Sequence, residues 1–187
     1  GRSVLIGDIA GELTCLDRSS GLKLAQINAG VETIHDLEIL PQLDALGNGT
    51  IFVAGDDGRV NSVRWNVAER KLVLSDRFRL GTGAMLSLAV DAEGTRFWSA
   101  GDDSRVYEID LLSGEKTALP ELPANRRVRD LEFSRTTLLA AQSYSLVGRT
   151  GDHAPNHPDE TAQWVLKLNR DMKDVRDIEV TDDGEWT

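Results

Sequence analysis

Short apolar runs separated by turn residues cover this chain, and they return in a fixed order. The first kind sets an acidic pair in an apolar frame: IHDLEIL (34–40), VRDLEFS (128–134) and VRDIEVT (175–181). MLSLAVD (85–91) fits the same frame, with serine and alanine in place of the acids. A second, Gly-led run ends in small residues: GRSVLIGD (1–8), GTIFVAGD (49–56), GTRFWSAGD (94–102) and, more weakly, TTLLAAQS (136–143). A third follows a tight turn: GELTCLD (11–17), GRVNSVRW (58–65), SRVYEID (104–110) and QWVLKLN (163–169). The fourth is short: LKLAQI (22–27), KLVLSDRF (71–78), EKTALPE (115–121) and MKDVRD (172–177). Runs this short, rich in Val, Ile, Leu, Phe and Thr and bounded by turn residues, predict strands. No long stretch places apolar residues at i, i+3, i+4 and i+7, so helix has little support.

The acidic-pair frames start at 34, 85, 128 and 175, intervals of 51, 43 and 47 residues. Four strands in a unit of about 47 residues is the pattern of a β-propeller blade. The expected fold is all-β, built from about four blades of four antiparallel strands. A lone blade cannot hide its apolar faces, whereas stacking on neighbours covers both. That need accounts for adjacent apolar positions in the first strand of each unit, where a half-buried strand would alternate. The repeats fall at 1–33, 34–84, 85–127 and 128–174, and 175–187 starts a further one.

One stretch, MLSLAVDAEGTRFWSAGDDSRVYEIDLLSGEKTALPEL (85–122), resembles a WD40 repeat. Ser87, Asp91, Gly94, Gly101, Asp103, Asp110 and Gly114 occupy the positions of that family's pattern. The preceding unit matches through Gly49, Gly55, Asp57 and Gly58, with Trp65 closing its strand. CLD, RW, EID and KLN stand where the family has Trp-Asp. The resemblance implies a non-enzymatic scaffold or sensor module that binds protein partners, as part of a larger protein or complex. It implies no cofactor.

The chain opens and closes at one phase of the repeat, since Gly1 and Gly184 both align with Gly49 and Gly94. The first unit therefore lacks its innermost strand. Three arrangements stay open: a segment of a larger ring, completed by another chain or segment; a half ring that pairs with a second copy into about eight blades; or a ring of four. An open arc exposes apolar faces and an unpaired edge, so a tightly bound second chain is the expected partner.

Composition narrows the function. The formal charge is −10 and the pI about 4.8, a field that repels phosphate and anionic membrane. Neither nucleic acid nor membrane is an expected partner, although Arg126, Arg127 and Arg129 form a local basic cluster. With Cys15 as the single cysteine there is no internal disulfide, and a cytoplasmic setting is the expectation. No apolar run approaches the roughly 18 residues of a membrane helix, and GRSVLIGD lacks signal-peptide layout.

The acidic pairs are the leading candidate chemistry. A propeller's first strand lines its channel, and residues two apart share a strand face. Asp36 with Glu38, Asp130 with Glu132 and Asp177 with Glu179 would recur there, preceded by His35, Arg129 and Arg176. One reading is a charged rim for a basic partner segment or a cation, carried by His35, Asp36, Arg129, Asp130, Arg176 and Asp177. The plainer reading has the acids bonding turn backbone or pairing with the arginines, and their repetition favours it. A second candidate is the period-breaking VGRTGDHAPNHPDETAQ (147–163), expected between the second and third strands of its unit. Asp152, His153, His157 and Asp159 carry metal-ligand chemistry, but their spacing matches no compact motif. An exposed partner-binding loop is the expectation. Cys15 reads as a buried structural thiol, and Asp57 and Asp103 as turn residues. Without a recognisable catalytic motif, a metal-dependent hydrolase with carboxylates around the channel is the competing class.

Overall fold

A computed structural model describes residues 3–122, 126–134, 137–142, 145–150 and 165–167. The described residues form fifteen strands and no helix. The strands make four antiparallel sheets, each drawn from one consecutive stretch of chain. Among the described residues no helix is long and apolar enough to cross a membrane, which leaves strand-built barrels unaddressed. The chain divides into two compact units, residues 1–85 and 86–187.

In the first unit, β1 (Ser3–Gly7), β2 (Glu12–Asp17) and β3 (Lys23–Asn28) form a three-stranded sheet in that order. β4 (Ile34–Ile39), β5 (Gly49–Gly55), β6 (Arg59–Asn66) and β7 (Lys71–Arg79) form a four-stranded one. The apolar alternation decides which faces meet. Leu13 and Cys15 of β2 pack with Ile51 and Val53 of β5, joined by Val63, Leu72, Ala29 and Val31. Fully burying one such side chain contributes roughly 1.5–3 kcal/mol.

The second unit holds β8 (Met85–Val90) from Leu86 onward, β9 (Arg96–Gly101), β10 (Val106–Asp110) and β11 (Lys116–Ala118), in the sheet order β11-β10-β9-β8. β12 (Val128–Ser134), β13 (Thr137–Gln142), β14 (Ser145–Thr150) and β15 (Val165–Lys167) follow in simple sequence. Trp98 is fully buried among Ala89, Val106, Val128, Leu131 and Leu138. Its ring stacks on Phe133 with centroids 4.7 Å apart, and its Nε1–H donates to Glu108 Oε2 at 2.8 Å. The apolar site thus leaves no unpaired indole donor, which would be costly.

Two expectations are corrected. In the four-stranded sheets β4–β7 and β8–β11 burial runs further along the second strand than the first: every residue of β9 is buried against four of six in β8, and β4 is only half-buried to exposed. Phe52 and Ala54 are buried on the face of β5 opposite Ile51 and Val53, which explains the continuous IFVAG. In the last sheet the third strand is Ser145–Thr150, not 163–169. Residues 165–167 pair with β14 as the fourth strand, so the insertion follows the third strand instead of the second. SLVGRT reads as loop because Gly, Arg and Thr outweigh Leu146 and Val147, yet those two are buried.

The turns repeat their chemistry. Asp17 accepts from the Ser19 and Ser20 amides at 3.0 and 2.8 Å, and Asp110 from those of Leu112 and Ser113 at 2.9 and 2.8 Å. The Asn66 side chain does the same for Glu69 at 3.0 Å. These side chains hold the connections β2–β3, β10–β11 and β6–β7. Each ends in left-handed backbone: Gly21 (φ 70°), Gly114 (φ 74°) and, against type, Arg70 (φ 50°).

Candidate functional site

The acidic-pair strands β4 and β12 share a local irregularity. Ile34 pairs with Gly55 and Asp36 with Ala54, leaving His35 as an extra residue. Val128 pairs with Gln142 and Asp130 with Ala141, leaving Arg129 in the same position. Such bulges re-aim a side chain and sharpen local twist. The aspartate after each bulge bonds the next amide. Leu37 N–H donates to Asp36 Oδ1 at 2.7 Å and Leu131 N–H to Asp130 Oδ1 at 2.9 Å.

In the second unit this device joins two sheets. Ser87 on β8, at the frame position of Asp36 and Asp130, is 1 % exposed. Its hydroxyl donates to Asp130 Oδ1 at 2.9 Å and accepts from Leu131 N–H at 3.0 Å. The bonds from Leu37 and Leu131 tie the Asp36 and Asp130 carboxylates to the start of their own strands.

His35 Nε2 lies 2.5 Å from Asp56 Oδ1 in the β5–β6 turn. Hydrogen bonds from Thr33 and then His35 hold the Asp56 carboxyl below its usual range. The corresponding turn aspartate of the next sheet, Asp102, pairs with Arg127 Nε at 3.4 Å. The Arg126 carbonyl accepts from Gln142 Nε2 at 2.7 Å. Of the basic cluster, the Arg127 side chain is thus engaged in an ion pair. Asp57 pairs with Arg59 at 3.1 Å. Asp103 accepts from the Arg105 amide and, at 2.7 Å, from the Tyr107 hydroxyl. Burial, then that bond and charge, push Tyr107 up to about 12.

His35 and Asp36 belong to the first unit, Arg129 and Asp130 to the second. Asp152, His153, His157, Asp159, Arg176 and Asp177 lie outside the described residues. Among the described residues no group of three or more His, Cys, Asp or Glu side chains is placed to hold a metal ion. Sequence reasoning placed Ser87 in the shared frame but missed it as the partner of Asp130. It also missed a cleft beside Trp65 and Arg70 in the first unit. The signal there was an arginine where the sister turns carry Gly21 and Gly114.

Comparison with protein-family models gives no match, and no curated protein matches the sequence.

Proposed function

We propose that this chain supplies WD40-like propeller blades to a non-enzymatic protein-interaction scaffold. The observation that carries the reading is the bulge shared by β4 and β12. At one position of two sheets it inserts a charged or polar residue, His35 or Arg129, while the following carboxylate bonds backbone. A surface whose carboxylates serve the frame suits recognition better than metal-assisted hydrolysis. Among the described residues no strand lies beyond β1, and Val4 and Ile6 on it are 41 % and 46 % exposed, which favours a further strand there from another chain or segment.

The test uses the full chain and a His35→Ala/Arg129→Ala variant as baits. Protein partners retained by the wild type and lost by the variant, with the unfolding midpoint unchanged, are the expected result. Stoichiometric zinc or calcium lost on substituting Asp130 and Asp177, together with hydrolysis, would replace this reading with the hydrolase. Solution mass at micromolar concentration addresses the half ring, which a clean monomer rules out.

A further inference from the structure

A cleft of about 630 Å³ opens between the β1–β3 and β4–β7 sheets of the first unit. Leu5, Leu24, Ile39, Ile51 and Trp65 give it an apolar lining, and Leu43, on the β4–β5 connection, borders it. Its size and lining are those of a small-molecule site, which needs a few placed polar groups for orientation.

Arg70 is the polar group that stands out. It lines the cleft and sits in left-handed backbone at φ 50°. The equivalent positions of the β2–β3 and β10–β11 turns are Gly21 and Gly114, which take that conformation without strain. Strained backbone of this kind gathers at ligand clamps, where the side chain is needed in place. Among the described residues Arg70 forms no ion pair. Asp17, the other charged lining residue, turns its carboxylate to the amides and hydroxyls of Ser19 and Ser20. Those bonds, the Ser19 hydroxyl foremost, lower its pKa to about 2. Asp17 keeps its negative charge but is held by these neutral donors, so Arg70 is the charged lining group left to meet a ligand.

We infer that this cleft binds a small amphiphilic anion, with its apolar tail against Trp65 and Leu24 and its acid head at Arg70. The site is independent of the rim residues. A guanidinium matches a carboxylate bidentately, while the walls discriminate only weakly among apolar tails.

Calorimetric titration of the full chain with octanoate, 1-octanol and octylammonium tests the assignment. Octanoate is expected to bind one site at least about tenfold tighter than either other probe, with a fluorescence change that Trp65→Phe abolishes. Arg70→Gly relaxes the turn and so keeps the fold, which the unfolding midpoint checks. It should weaken octanoate about tenfold and leave 1-octanol unchanged, while Arg70→Lys stays within about threefold of wild type. Leu43→Glu, at an exposed position, should weaken octanoate by charge repulsion alone. No octanoate binding, equal binding by Arg70→Gly, or 1-octanol binding as tightly as octanoate would overturn the inference.

Discussion

Removing the Ser87 hydroxyl separates a structural role for Asp130 from a binding role. Ser87 is buried on β8, and its hydroxyl donates to the carboxylate of Asp130 on the neighbouring sheet at 2.9 Å. A hydrogen bond to a charged group contributes roughly 1.5–3 kcal/mol, against 0.5–1.5 for a neutral one. Ser87→Ala should therefore cost about 2 kcal/mol in the wild type. In an Asp130→Asn background the acceptor survives without its charge, and the same change should cost about 1 kcal/mol. Leu131 N–H keeps a partner throughout, because the residue-130 oxygen also accepts from it. For a chain of this length 2 kcal/mol corresponds to about 4–8 °C in Tm. Urea titration of the four proteins, followed by tryptophan fluorescence, measures both costs, since Trp98 lies in the core of the same unit. A cost below about 0.5 kcal/mol in the wild type, or equal costs in both backgrounds, would refute the reasoning.

Four further outcomes are expected. Gly58 has φ 74°, and a Cβ there would collide with the Gly81 carbonyl oxygen, so Gly58→Ala should cost about 2 kcal/mol or more by urea midpoint. The sister position Ser104 already sits at φ 64°, so Ser104→Gly should stay within about 1 kcal/mol of wild type, on the stable side. Asp17 and Asp44 are both lowered to about 2 from an ordinary 3.8, Asp17 first by the Ser19 hydroxyl and Asp44 first by the Asn48 amide. On acidification the unfolded chain takes protons first, so their contribution is complete above about pH 5 and drains away as pH falls towards 2. Asp17→Asn should flatten Tm against pH in that window, and an unchanged slope would contradict the turn bonds. Cys15 is fully buried, and burial pushes its thiol up. Iodoacetamide should label it at least about a hundredfold more slowly in the native protein than in urea, by mass spectrometry.

Turn chemistry made the sheets readable. Asp17, Asn66 and Asp110 mark their turns by side chains that bond local backbone, a signal confined to a few residues. β14 escaped because Leu146 and Val147 are its only apolar pair and burial, not alternation, identifies it. The bulges at His35 and Arg129 were hidden because an extra residue shows only against the partner strand. The acids stood out as a pattern, but Ser87 differs in type from Asp36 and Asp130, so its bond to Asp130 appears only once two sheets meet. The cleft was less legible still, since strands from two sheets and a long connection contribute its lining.

Every hydrogen-bonded strand in the four sheets pairs with its immediate neighbour along the chain. Loop closure for such pairs is entropically cheap, and hairpins of this kind form in about 1–10 μs. During synthesis, at about 5–20 residues per second, a sheet has time to zip before the next one emerges. Its oily face then waits in water for the following sheet, so the hazard in making this protein lies in the interval between sheets, and slower translation would lengthen it.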